Sequence, residues 1–353
     1  MKTSLRLAGT PQRQSRPRVN DRPKRPSSGQ HPRRRFLALA AGAATLPAVS
    51  RIARAQTYPS RPVRIIVGFP AGGQIDIIAR LIGQWLSDRL GQQFFIDNRP
   101  GAASNIAAEA VVHSPADGHT LFLANGTNAV NATLYDNLRF NFVRDTAPIA
   151  SIGRIPLVLY ENSSFPAKTL SELIVYTKTN PGKVSIATPP KGTGPYMAAE
   201  LFKMMTGIDV VLVPYRAEAQ MVTDLLGGQV QVAFGGISPA IAHIKAGNFR
   251  ALGVAAAVRS AELPEVSPIA DTVSGFEASG WSGIVAPRNT PVEIVEKLHG
   301  EINAGLADPK VMARLTDAGI TVLALPRGEF AKFIADETEK WGKVIRAANI
   351  KAE

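Results

Sequence analysis

The sequence predicts an α/β protein of two hinged lobes, each a mostly parallel sheet flanked by helices. Three observations predict it. Strand-like and helix-like runs alternate from residue 63 to residue 348, the pattern that winds a chain into sheets with helices on both faces. Residues 56–353 exceed a comfortable single core, so two lobes are the default. Two extended apolar runs, 154–160 and 281–287, are punctuated by Pro or Gly and read as crossings between the lobes. They divide the chain into a discontinuous first lobe, 56–157 plus 280–353, and a second lobe, 158–279.

The elements follow in order. Residues 63–69 are a β-branched run and read as a strand. From 73 to 90, Ile75, Ile78, Ala79, Ile82, Leu86 and Leu90 recur near helical spacing, and Gly91 stops the helix. Residues 93–96 are a second strand, 104–113 a helix, 115–118 a turn and 119–124 a third strand. Thr169 and Glu172 have the spacing of a capping box, heading a helix that ends near Asn180-Pro181-Gly182. Strands are expected at 184–187, 210–213, 230–234 and 251–255, with helices at 196–206, 221–226 and 239–246 between them. Thr290-Pro291-Val292-Glu293 reads as a second capping box with Pro at the first helical position. Asp308-Pro309 starts another helix, 321–325 is a strand, and 329–348 is a long terminal helix. Trp85 and Trp341 fall within helical patterns and read as packing residues.

Charge separates the ends of the chain. The formal net charge is +12, but 13 of the 40 Lys and Arg lie in residues 1–55 beside one acid, Asp21. The remainder carries 27 basic and 27 acidic residues. No nucleic-acid partner is expected, because phosphate binding needs a clustered positive surface. The basic stretch reads as a leader. Arg33-Arg34-Arg35-Phe36-Leu37 has the twin-arginine pattern, and residues 36–49 are apolar but shorter than the roughly 20 residues of a membrane span. Ala53-Arg54-Ala55 supplies a cleavage pattern, so the mature chain would be exported and begin at Gln56. An uncleaved anchor is the other reading. The absence of cysteine excludes disulfides, thiolate metal sites and cysteine nucleophiles.

Catalytic signatures are missing. There is no G-x-S-x-G, H-E-x-x-H, Walker-type loop or complete G-x-G-x-x-G. His113, His119, His243 and His299 are not spaced as metal pairs, so neither a metal nor a cofactor is expected.

What the chain does carry is loops suited to anions. Val67-Gly68-Phe69-Pro70-Ala71-Gly72-Gly73 closes a strand and opens a helix. The first N–H groups of a helix lack internal partners and face the positive end of its dipole, so a carboxylate can settle there without Arg or Lys. Phe69, Ala71, Gly72 and Gly73 are therefore candidates, with Asp76 in the first turn to favour the dipole or cap free N–H groups. A plain tight turn fits the same residues. A second such loop begins at Thr188, the end of a strand, and Thr188, Gly192 and Thr193, before a helix, are candidates there. Gly126 and Thr127, after the third strand, could line the same cleft. Tyr215, after Pro214 at a strand end, could bring its hydroxyl there. One anion-ready helix end per lobe suits a dicarboxylate held between them.

At these loops the sequence resembles the substrate-binding proteins of tripartite tricarboxylate transporters, the Bug-type family. The likeness covers essentially all of 57–350. Its markers are Tyr58-Pro59-Ser60-Arg61-Pro62, Phe69-Pro70-Ala71-Gly72-Gly73, Asn98-Arg99-Pro100-Gly101-Ala102, Pro115-Ala116-Asp117-Gly118, Val213-Pro214-Tyr215, Leu225-Leu226-Gly227-Gly228-Gln229 and Trp341-Gly342-Lys343-Val344. The resemblance implies a periplasmic-binding-protein fold, type II-like, that closes on its ligand in the manner of a Venus flytrap. It implies capture of a small carboxylate by backbone amides and bridging waters, and delivery to membrane transporter subunits. The chain departs from the family pattern at Tyr196, often His, at Arg216-Ala217-Glu218, often Lys-Gly-Gly, and at Phe234-Gly235-Gly236, commonly Phe-Asp-Asn. Losing that acid removes either a counter-charge for an amino group or a contact that supports the groups holding the ligand. The expectation is a monomeric solute-binding protein and not an enzyme. A sensory module presenting the same pocket to a membrane receptor, or an enzyme acting on a carboxylate with Asp76 or Tyr215 as base, are the alternatives.

Overall fold

The β-branched run Val63–Val67 is β1, buried along almost its whole length and followed by α1 (Gln74–Leu90). The computed structural model that shows this describes residues 58–352; the twin-arginine pattern, the apolar stretch and the cleavage pattern lie outside them. Among the described residues no helix is long and apolar enough to cross a membrane. After α1 come β2 (Phe94–Asn98), α2 (Asn105–Val112), β3 (Thr120–Asn125), α3 (Gly126–Leu134), α4 (Phe142–Asp145) and β4 (Thr146–Ile155). A second run of elements follows: β5 (Leu157–Asn162), α5 (Leu170–Thr179), β6 (Ser185–Thr188), α6 (Gly194–Thr206), β7 (Val211–Pro214), α7 (Glu218–Leu226), β8 (Val232–Gly236), α8 (Ile237–Lys245) and β9 (Phe249–Val254). The chain then returns through β10 (Gly280–Pro287), α9 (Val292–Leu306), α10 (Pro309–Asp317), β11 (Thr321–Val322) and α11 (Arg327–Ala347).

Two sheets result, in the orders β11-β4-β10-β3-β1-β2 and β7-β6-β8-β5-β9. The α/β, two-lobed class holds, but the sheets are mixed rather than mostly parallel. Parallel pairing is confined to β2-β1-β3 and β7-β6-β8. β10 runs antiparallel to both β3 and β4, and β5 runs antiparallel to both β8 and β9. The reason lies in the crossings. Pro156 alone separates β4 from β5, so the chain passes directly between sheets and is not laid down by a β-α-β winding, which is what aligns strands in parallel.

Local signals account for the helix ends. Asp308 accepts from the N–H groups of Lys310 and Val311, as the Asp-Pro start requires. Thr169 accepts from the Glu172 N–H, while the Glu172 carboxylate reaches back to the Lys168 N–H. The box expected at Thr290 does not form. Pro291 occupies the N-cap, and the Thr290 hydroxyl donates to the Pro287 carbonyl instead. α3 is the one long helix missing from the sequence reading; Asn125 and Asn128 build a capping box at its start.

One hydrophobic core fills the outer face of the first sheet, where Val63, Ile65 and Val67 meet Ile78, Ile82 and Leu86 of α1. A second runs across the junction of the lobes, from Phe122 and Trp281 through Leu157 to Phe202 and Phe234. The second sheet also buries a charge. Glu161 on β5 is fully buried opposite Arg250 on β9, whose Nη1 lies 2.6 Å from Oε1, and its Oε2 has no partner. Burial pushes the Glu161 carboxyl up to about 7 from an ordinary 4.5, against the pull of Arg250 and with Glu172 adding to the rise. The folded state thus holds this proton more tightly than the unfolded chain. Stability from this group is complete below the unfolded value and is lost as pH rises through the folded one. Glu161→Gln is expected to flatten the fall in melting temperature between about pH 4.5 and 7; an unchanged pH profile would refute it.

Candidate functional site

A cavity of about 600 Å³ lies between the two sheets, within the range of small-molecule sites. Its polar wall is made of helix beginnings. Gln74 and Ile75 open α1, Gly126 and Thr127 open α3, Gly194 and Pro195 open α6, and Ile237 and Ser238 open α8; all line the cavity. Each of these helices follows a strand of a parallel trio, so the loops at four strand carboxyl ends converge. Gly73, Thr193 and Gly236, the N-caps of α1, α6 and α8, make no side-chain capping bond. The Thr193 hydroxyl donates instead to the Pro190 carbonyl. The first turns of these three helices thus have no N-cap side chain bonded to them, and Pro195 in α6 and Pro239 in α8 bring no N–H of their own.

No lysine or arginine lines this cavity among the described residues, whereas Glu262, Asp317 and Glu337 do. Glu337 accepts from the Trp341 Nε1 at 2.9 Å and pairs with Lys340. Burial raises the Glu262 carboxyl, with Lys245 pulling the other way. The rest of the wall is chiefly apolar, with Phe69, Val130, Ile155, Leu157, Trp281 and Trp341 prominent. Any positive potential on this wall therefore comes from the backbone.

Comparison with known proteins places this arrangement. The model of the tripartite tricarboxylate transporter family receptor matches residues 78–350. The chain belongs to that family. It is a solute-binding receptor, and its relatives are periplasmic binding proteins. Protein BugT of Bordetella pertussis is 34% identical over 300 residues, covering 84% of this chain and 92% of that protein. The solved structure of R. palustris Rpa4515 with adipate is 33% identical with a TM-score of 0.71, covering 83% of this chain and 99% of that one. MatC of Rhodopseudomonas palustris with bound malate is 31% identical with a TM-score of 0.67, covering 82% and 100%.

In this receptor the residues expected from sequence separate into three groups. Phe69, Gly126, Thr127 and Thr193 line the cavity. Ala71, Gly72 and Gly73 form the turn immediately before α1 and stand just outside the lining, and Gly192 lies on the rim, against Leu134 of α3. Thr188, Asp76 and Tyr215, also expected as ligand contacts, are not among the residues that line the cavity. Thr188 is fully buried at the end of β6. Asp76 is buried and turned to the loop: Oδ2 accepts from the Gly72 N–H at 2.8 Å and from Arg80 Nε at 2.8 Å, and Oδ1 accepts from Asn98 Nδ2 at 2.9 Å. The same Asn98 amide donates to the Phe69 carbonyl, so two of the family's sequence markers are bonded into one structure. The Tyr215 hydroxyl donates to Asp224 at 2.9 Å, and burial followed by that carboxylate pushes it up to about 12. Both residues offered as a base are thus engaged by groups of the protein itself.

Sequence reasoning missed the α8 start, Glu262, Asp317, Glu337 and the two tryptophans. Trp341, read as a packing residue, lines the cavity while its indole N–H is held by Glu337. Phe234-Gly235-Gly236 was noticed only as a departure from the family pattern. Its position at the end of a strand and directly before Ile237-Ser238-Pro239 is the same signal that pointed to the other loops. The two crossings meet beside the cavity, where Arg154 Nη1 donates to Glu277 Oε1 and Ser279 Oγ, each at 2.8 Å. Arg154 also stacks 5.3 Å over Phe333 of α11.

Proposed function

We propose that this receptor is exported by the twin-arginine route, captures a small carboxylate-bearing solute between its lobes as a monomer, and delivers it to a tripartite tricarboxylate-type transporter in the membrane. The observation that carries the reading is the convergence of four helix beginnings, three without side-chain caps, on a cavity whose lining holds no cationic side chain. An anion is the ligand that such a wall stabilises. The adipate-bound and malate-bound relatives support the class of solute. In the proposed cycle the lobes, 56–157 with 280–353 and 158–279, hinge at the two crossings tied by Arg154 and Glu277. Closure excludes water and so strengthens each amide–carboxylate bond. Glu262, Asp317 and Glu337 weigh against a ligand with many carboxylates, and the apolar wall favours one with an extended carbon body.

The test is isothermal titration calorimetry with adipate, malate and citrate, extended by a thermal-shift panel of mono-, di- and tricarboxylates. A ligand at about 100 times its Kd stabilises the native state by roughly 2.7 kcal/mol, a readily seen shift. Adipate is expected to bind more tightly than citrate. Absence of heat and of any shift across the whole panel would overturn the reading.

A further inference from the structure

Two buried N–H donors, carried by residues that line the cavity, have no partner among the described residues. Asn125 is 4% exposed and Trp281 is 1% exposed, both line the cavity, and the Asn125 Nδ2 and Trp281 Nε1 are each unpaired. A buried N–H left without an acceptor is destabilising, so two at one place call for an explanation.

Their orientations are set by the fold. The Asn125 Oδ1 accepts from the Thr127 N–H at 2.9 Å as the cap of α3, and the Asn125 N–H donates to the Asn128 Oδ1 at 3.0 Å. Because the oxygen must face Thr127, the amide nitrogen is the free end. Trp281 is fixed by edge-on contacts with Phe330 at 6.1 Å and Phe333 at 5.7 Å between ring centres. β10 pairs with β3 so that Ser282 opposes Asn125, which brings Trp281 beside Gly126. A methyl group placed on Gly126 would stand 3.5 Å from the indole nitrogen. The glycine thus leaves open the space next to one donor and follows directly the residue that carries the other.

Resting on the reading of this cavity as a carboxylate site, we propose that Asn125 Nδ2–H and Trp281 Nε1–H are a fixed, uncharged donor pair for a carboxylate oxygen of the ligand, seated over Gly126. Neutral donors held rigidly suit an acceptor of defined position. They read the place of the carboxylate along the apolar wall, and so act as specificity determinants in addition to the general potential of the helix ends.

Asn125→Asp isolates the donor. The aspartate keeps an oxygen for the Thr127 N–H and is as good a helix cap as asparagine, but it presents a negative oxygen where the N–H stood. Adipate and malate affinities are expected to fall about 100-fold, in keeping with the loss of a bond to a charged group and a like-charge contact. Trp281→Phe removes the other N–H and should cost roughly 10-fold. A second measurement does not depend on the variants folding. The chain has three tryptophans, and Trp85 and Trp341 already donate to Glu301 and Glu337. In a ¹H–¹⁵N spectrum of the wild-type indoles, the Trp281 N–H signal should move downfield on adding adipate or malate, with the other two much less affected. If a carboxylate binds while the Trp281 signal stays in place and Asn125→Asp binds as tightly as wild type, the donor pair is refuted and the carboxylate reading stands. If no carboxylate binds the wild type, that reading fails and takes the donor pair with it.

Discussion

Replacing Asp76 with alanine is expected to remove about 2–4 kcal/mol of stability and most of the affinity for a carboxylate ligand. The stability figure follows from what the carboxylate holds. It is buried and accepts from Gly72, Arg80 and Asn98, and hydrogen bonds to a charged group contribute about 1.5–3 kcal/mol each. Arg80 is largely exposed, so its share is screened by solvent, and the two other donors dominate. The affinity loss follows from position. The loop these bonds hold carries Phe69 and leads into Gln74, both on the cavity wall. Burial alone would raise the Asp76 carboxyl, but Arg80, the Gly72 N–H and Asn98 together hold it below the ordinary carboxylate range. Its contribution is therefore complete above that range and is lost as pH falls through the lowered folded value. Denaturant melts and adipate titrations on wild type, Asp76→Ala and Asp76→Asn check this. The wild type should lose stability steeply at acid pH, and the alanine variant should lack that limb. An alanine variant as stable as wild type with unchanged affinity would refute the role.

The same residue shows what a sequence can and cannot disclose. That Asp76 stands in the first turn of a helix after a glycine pair, where it can engage free N–H groups, was legible. That it faces Gly72 and Asn98 was not, since Asn98 is distant in sequence and comes near only through the pairing of β1 with β2. The alternation of strands and helices was readable from β-branched runs and helical spacing. Strand direction was not, because periodicity is blind to the sense of a ladder, and so β10 and β5 made the sheets mixed. α3 was missed because Gly126-Thr127-Asn128 has loop composition; the available signal was Asn125 followed three residues later by Asn128. The donors Asn125 and Trp281 lay outside reach for a further reason. An unpartnered N–H is a property of everything around it, and no local pattern encodes that.

Gly192→Val should lower affinity for adipate by roughly 5- to 150-fold while leaving the cavity itself intact. Gly192 sits on the rim rather than in the lining, with φ of +80°, and a Cβ there would come within 2.6 Å of the Leu134 Cδ2. Leu134 belongs to α3, beside the first sheet, and Gly192 to the loop before α6, beside the second, so the contact is one between lobes. Two terms separate on this variant. The left-handed backbone is strained for valine whether the lobes are open or closed, which lowers the melting temperature without touching affinity. In the proposed closure the overpacking against Leu134 arises as the lobes approach, and costs about 1–3 kcal/mol, the stated range of affinity loss. Small-angle scattering should then show the valine variant staying extended at adipate concentrations that compact the wild type. At Gly126 a methyl group meets the indole of Trp281 at ordinary contact distance, so Gly126→Ala should weaken binding by covering a donor while still allowing closure. If Gly192→Val binds as tightly as wild type and compacts at the same concentration, the rim contact plays no part in closure, and the hinge model loses the feature that distinguishes it from a preformed, rigid pocket.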